Sequence, residues 1–168
     1  IYQGYLSEIA GTNLVLQSQD LGTTWTNAGT PSLVSATTVV GALSLDTLGD
    51  DGAGALEGKV QTITFTGDAT KAISLFVKQG SSTTSVVRLR QNSGVPATKL
   101  SMVITWSGTV PIVTASVGTD LTGTPQQLGT SGVYRLSFLS TLITAAETNV
   151  LQLYPASDSV FTTSLTGT

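Results

Sequence analysis

Side chains that alternate with a period of two, interrupted by turn residues at short intervals, commit this chain to a β structure. From Lys59 to Thr66, Val60, Thr62, Thr64 and Thr66 fall on one side and Gln61, Ile63 and Phe65 on the other. Lys71 to Lys78 encloses Ala-Ile-Ser-Leu-Phe-Val and reads as a central strand, buried over part of both faces. Thr84 to Arg90 follows, with Val87 and Leu89 on one face and Arg88 and Arg90 on the other. Leu100–Trp106, Ile112–Val117, Tyr134–Phe138, Val150–Tyr154 and Val160–Leu165 are further strand candidates, rich in β-branched and aromatic residues. Turn chemistry separates them at Thr66-Gly67-Asp68, Gln79–Ser82, Asn92–Gly94, Ser107–Thr109, Thr122–Pro125 and Thr130–Gly132. Breaks about 8–12 residues apart are the spacing of a sandwich or jelly roll.

No segment carries a convincing helical period. Asp120–Leu128 contains Gly and Pro, and Thr141–Thr148 holds one helical turn at most, with a loop expected. Gly49–Ala55, Gly-rich with two aspartates, reads as a loop between strands rather than a boundary. The 168 residues therefore form one domain. The expected fold is all-β, a jelly-roll β-sandwich of two antiparallel sheets. Val60, Ile63, Phe65, Ile73, Leu75, Val77, Leu89, Ile104, Leu136 and Phe138 are its expected core.

Composition then narrows function. With no cysteine and no histidine, disulfides, thiolate sites, imidazole ligation and His-based catalysis are excluded. Seven Lys and Arg against ten Asp and Glu give a net charge of −3, a poor match to phosphate backbones, so no nucleic-acid partner is expected. No apolar run approaches the ~18 residues of a membrane-spanning helix, and no signal peptide opens the chain. The first residue, Ile1, is not Met, so a fragment or processed product is expected. Charged residues make up 10 %, well under the usual share of roughly 25 %, while Ser and Thr number about 48. This describes a neutral, hydroxyl-rich exterior.

Catalysis has little to stand on. A Ser–Lys pair is conceivable, but no serine is singled out. Glu8, Glu57 and Glu147 are the only glutamates and none lies in a suggestive motif for paired-carboxylate chemistry. Asp46, Asp50 and Asp51 form the one acidic cluster. Oxygen ligands on a Gly-rich loop suit Ca²⁺, yet the Asp-x-Asp-x-Asp spacing is missing, and a solvated turn explains the same residues. No other cofactor is expected. Trp25, Trp106 and Tyr154, with Tyr2, Tyr5 and Tyr134, are the aromatics on which a sugar ring would stack. Packing is their commoner use, and an aromatic content of 6 % argues against a dense glycan platform. Arg88 and Arg90 share a strand face, either as a solvated pair or as partners for acids of a neighbouring subunit.

Several short motifs resemble the jelly-roll domains, shaped like carbohydrate-binding modules, of tailed-bacteriophage virion proteins: tail fibres, head fibres and capsid decoration proteins. Asn13-Leu14-Val15-Leu16-Gln17-Ser18-Gln19-Asp20 followed by Trp25 resembles their opening NLLLQSEDF…W. Ala72–Ser81 (AISLFVKQGS) resembles their YTFSVYVKAGS strand and turn, and Val86–Arg90 the strand after it. Gly132–Phe138 (GVYRLSF) resembles their GWYRLSF, with Val133 where the family usually has Trp. Family members close with GTIYLWGAQLEEG, whereas this chain opens with the similar Ile1–Glu8. The resemblance thus implies that residues 1–9 supply the fold's last strand, to their own sheet or to a neighbour's, with Ile1, Tyr2 and Tyr5 at the junction.

The resemblance carries no shared catalytic set. It implies a non-enzymatic structural protein on the virion surface, a capsid decoration or fibre component, whose partners are copies of itself and other virion proteins. A carbohydrate-binding module recognising host-surface glycans is the alternative reading, and a bacterial adhesin repeat a third.

Overall fold

The computed structural model describes residues 20–41, 43–52, 56–92, 96–157 and 166–168. The expected terminal strand 1–9 with Ile1, Tyr2 and Tyr5, the motif residues 13–19 and the candidate strand 160–165 lie outside the described residues. The strands, in chain order, are β1 (Thr26–Ala28), β2 (Ser32–Val40), β3 (Leu43–Asp51), β4 (Gly58–Ile63), β5 (Ala72–Lys78), β6 (Thr84–Gln91), β7 (Ala97–Ser107), β8 (Val110–Val117), β9 (Thr119–Asp120), β10 (Gln126–Gln127), β11 (Val133–Leu139), β12 (Asn149–Tyr154) and β13 (Thr166–Gly167). The described residues contain no helix, and Ala69 and Ile143 make an isolated antiparallel bridge inside the segment expected to be a loop.

Six strands run side by side in the order β1-β4-β12-β6-β7-β8, and β10-β11-β5, with β9 also on β11, form the opposing layer. A third ladder, β13-β3-β2, joins them. Every pairing is antiparallel. The chain crosses between the two main layers on leaving β4, β5, β8 and β11, the alternation that a jelly roll uses. β7 and β8 instead stay together through a two-residue turn at Gly108–Thr109. There Gly108 takes φ +60°, a conformation open to glycine at little cost.

Register decides which side chains meet. Across the six-stranded sheet, Gln61, Leu151, Leu89 and Leu100 stand in one row, and Lys59, Leu153, Val87 and Met102 in the next. These rows face the opposing layer. There they close on Leu136 and Phe138 of β11, with Ile73, Leu75 and Val77 of β5 packed alongside. Leu89, Leu100, Met102, Leu136, Phe138 and Ile143 are 0 % exposed. At about 25 cal/mol per Å² of apolar surface removed from water, this interior is the main source of stability. The reverse rows, Val60–Gln152–Arg88–Ser101 and Thr62–Val150–Arg90–Thr98, form the outer face. A small second cluster sits on that face, where Val86, Val103 and Tyr154 pack with Ala28 and Leu56.

The β-sandwich expected from alternation is the structure. Three local expectations differ. Among the described residues β5 ends the order of its sheet rather than standing at its centre, and Ala72, Ser74, Phe76 and Lys78 are exposed on one side. Val60 lies on the outer face, half-buried, because alternation places it opposite Ile63. Gly49, Asp50 and Asp51 belong to β3, since Asp50 and Asp51 pair with Gly167 and Thr166 of β13.

Candidate functional site

A cleft of about 370 Å³ is walled by β5, by the β2–β3 hairpin and by the ends of β6, β7 and β12. Its floor is apolar: Leu75 and Val77 from β5, Val87 from β6, Ile104 and Trp106 from β7, and Leu153 from β12. Side chains at positions i and i+2 of a strand share a face, so Ile104 and Trp106 necessarily look the same way, towards β5. Trp106 is half-buried. Its ring meets Tyr134 edge-on, at 6.4 Å between centroids and 64° between planes, and the Tyr134 hydroxyl donates to Gln127 Oε1 at 3.3 Å.

The hairpin supplies the polar rim. Thr37, Thr38, Asp46 and Thr47 stand across from Lys78 and Gln79 of the β5 end. Asp46 and Lys78 are the only charged residues in this lining. Asp46 Oδ2 accepts the Leu21 N–H and Oδ1 the Ala36 N–H, each at 2.9 Å. Ala36 sits in a bulge of β2 at φ +52°, and the Asp46 carboxylate braces that bend. Lys78 Nζ donates to Thr38 Oγ1 at 3.4 Å, tying β5 to the hairpin.

The three stacking candidates part company. Trp25 is sealed in the main core, 6 % exposed, with its Nε1 buried and unpartnered. Tyr154 is buried against Val86 and Val103, which raises its pKa, while its position also borders the cleft. Trp106 alone of the three combines partial exposure with a place on the cleft floor.

The acids are also redistributed. Asp50 and Asp51 meet Glu57, with carboxylate oxygens within 4.8 Å of one another, and Asp46 is not in that group. Three oxygens there are of the type that Ca²⁺ takes. Their hydrogen bonds serve the chain: Asp50 accepts the N–H groups of Gly52 and Glu57, and Glu57 accepts both the hydroxyl and the N–H of Thr30. The Thr30 hydroxyl first, and then its N–H, hold the Glu57 carboxyl below its usual pKa. Glu57, weighed in the sequence only as one of three glutamates, takes the place expected for Asp46 in this group. Its only signal there is six residues of separation from Asp51, across a Gly-rich segment.

Arg88 and Arg90 do share the outer face. Arg88 is half-buried and donates to Thr98 Oγ1 at 2.8 Å, and burial and then the like charge of Arg90 lower its pKa.

A second feature concerns two strands that end ladders among the described residues. β2 and β8 carry no charged residue, yet Val34 and Val39 are 57 % and 66 % exposed, and Val110 and Ile112 are 43 % and 49 % exposed. Val110 and Ile112 border a shallow depression with Asp120, Gly123 and Pro125. Comparison of the chain with protein-family models and with curated proteins finds no match.

Proposed function

We propose that this chain is a non-enzymatic structural protein of a tailed-bacteriophage virion, a capsid decoration or fibre component that works through protein–protein contacts. The observation that carries the contact reading is the apolar display on β2 and β8. Sheet edges are usually blunted by charge, proline or bulges. Here β2 and β8 carry no charge of their own, and the guarding is done by the backbone: Ala36 and its bulge bend β2, and Pro111 removes a donor from β8. These devices discourage a foreign strand from adding to the ladder. They leave Val34, Val39, Val110 and Ile112 presented to a partner's surface. Contact is therefore made by side-chain packing, which salt screens little. The virion assignment rests on the motif resemblance of Ala72–Ser81 and Gly132–Phe138.

Location tests the assignment. Mass spectrometry of purified particles from a phage encoding this chain should detect it in stoichiometric amounts; its absence from the particles overturns the virion reading.

A further inference from the structure

We propose that the cleft floored by Trp106 binds a neutral saccharide of mono- or disaccharide size. This does not rest on the contact reading: Val34, Val39, Val110 and Ile112 are not among the cleft's lining, although Thr37 and Thr38 of β2 are. Size comes first: about 370 Å³ falls at the small end of the ~300–1,000 Å³ range of ligand sites. The lining then separates ligand classes. A floor of Leu75, Val77, Ile104 and Leu153 around an indole favours a ligand with one apolar face. The rim of Thr37, Thr38, Thr47, Asp46, Lys78 and Gln79 calls for a ligand whose edge both donates and accepts hydrogen bonds. A pyranose has both features, with C–H groups on its face and hydroxyls round its edge. Thr37 and Thr47 bond each other and Lys78 bonds Thr38, so the rim holds itself in place, and its remaining lone pairs and ammonium hydrogens are met by a sugar's hydroxyls but not by an acyl chain.

Charge complementarity points the same way. Asp46 and Lys78 sum to zero, so the rim offers no net attraction to an anionic or cationic ligand, while adjacent hydroxyls can bridge to both. The platform is already in place. Tyr134 holds the Trp106 ring edge-on and is itself tied to Gln127; Asp46 is fixed by two backbone N–H groups and keeps a second lone pair on each oxygen. A site ordered before the ligand arrives loses little entropy on binding.

The chain has two tryptophans, and Trp25 is sealed, so a ligand-induced change in tryptophan fluorescence reports chiefly on Trp106. The full chain is titrated to about 20 mM with maltose, lactose, mannobiose and N,N′-diacetylchitobiose, with sialyllactose and sodium decanoate as charged and apolar controls, weak sugar affinities near ~1 mM being ordinary values for so few contacts. The expected result is a saturable change with at least one neutral disaccharide, confirmed by calorimetry. Trp106→Ala should weaken it at least about tenfold, and the rim variants Thr47→Val and Lys78→Met by a few-fold, with the wild-type circular dichroism retained. The rim variants decide the matter if Trp106→Ala fails to fold. Saturation by none of the neutral sugars, saturation by decanoate or sialyllactose alone, or saccharide binding unchanged in all the folded variants would overturn the proposal.

Discussion

The interior of the sandwich and the strands that end its ladders treat apolar residues in opposite ways. Between the layers, Leu89, Leu100, Met102, Leu136 and Phe138 are wholly withdrawn from water. On β2 and β8, valine and isoleucine of the same kind stand largely in water with no charged neighbour on their own strand. The interior apolar groups stabilise the fold. The outer ones contribute less to it, because they leave between 43 % and 66 % of their surface in water. The difference teaches where to look for each property: stability is set between the layers, and association on the outer strands.

The largest effect should come from the interior. Leu136→Ala leaves a cavity at a position closed on every side and should cost about 2–5 kcal/mol, read as a fall in the chemical-denaturation midpoint. A loss under ~1 kcal/mol would mean that the layers are loosely packed and would blur the contrast. Gly58→Ala comes next. A Cβ built there falls 2.2 Å from the Leu153 carbonyl oxygen across the β4–β12 ladder, so the strands must part, at a cost of about 1–3 kcal/mol. A thermal melt of this variant tests that approach directly.

Acid should act at the far end of β3. The Glu57 carboxyl, held by Thr30 below the usual range of a glutamate, is ionised more readily in the folded chain than in the unfolded one. Its contribution to stability is therefore complete above the unfolded pKa and disappears as pH falls through the lower folded value. Unfolding midpoints measured from pH 7 downwards should drop below about pH 4.5. Glu57→Gln should be less stable at pH 7 and lose part of that pH slope. An unchanged slope would place the acid sensitivity elsewhere. The smallest effect belongs to the outer strands: Val110→Lys with Ile112→Lys should change stability by only about ±0.5 kcal/mol per site. A cost comparable to that of Leu136→Ala would show these residues to be structural and would break the comparison.

Most of the fold from Lys59 onwards is legible in the sequence because alternation and turn residues agree there. The β4, β6, β7, β8, β11 and β12 strands lie within a few residues of their expected places. Alternation also contained the answer for Val60, whose place on the outer face follows from its own neighbours Gln61 and Ile63. The β2–β3 hairpin was hidden for a physical reason. Its bulge at Val34–Thr38 shifts the pattern by more than a residue, and Asp50 and Asp51 become strand only by pairing with β13, over a hundred residues away. That β5 comes last in its sheet among the described residues is a property of sheet order, which composition does not encode. The candidate site was legible in part. Trp106 stands out by residue type, but its rim comes from a hairpin about sixty residues upstream, and nothing local to Trp106 announces Asp46 or Thr47.

The central claim, that this molecule works by contact through its outer strands, is tested most directly by light scattering after size exclusion over a range of protein concentrations. The account predicts a species larger than one chain that persists at high salt and reverts to the single-chain mass in the Val110→Lys, Ile112→Lys variant or its Val34→Lys, Val39→Lys counterpart, with circular dichroism unchanged. A single-chain mass at every concentration for the wild-type protein, or an assembly indifferent to both pairs of charges, would contradict it.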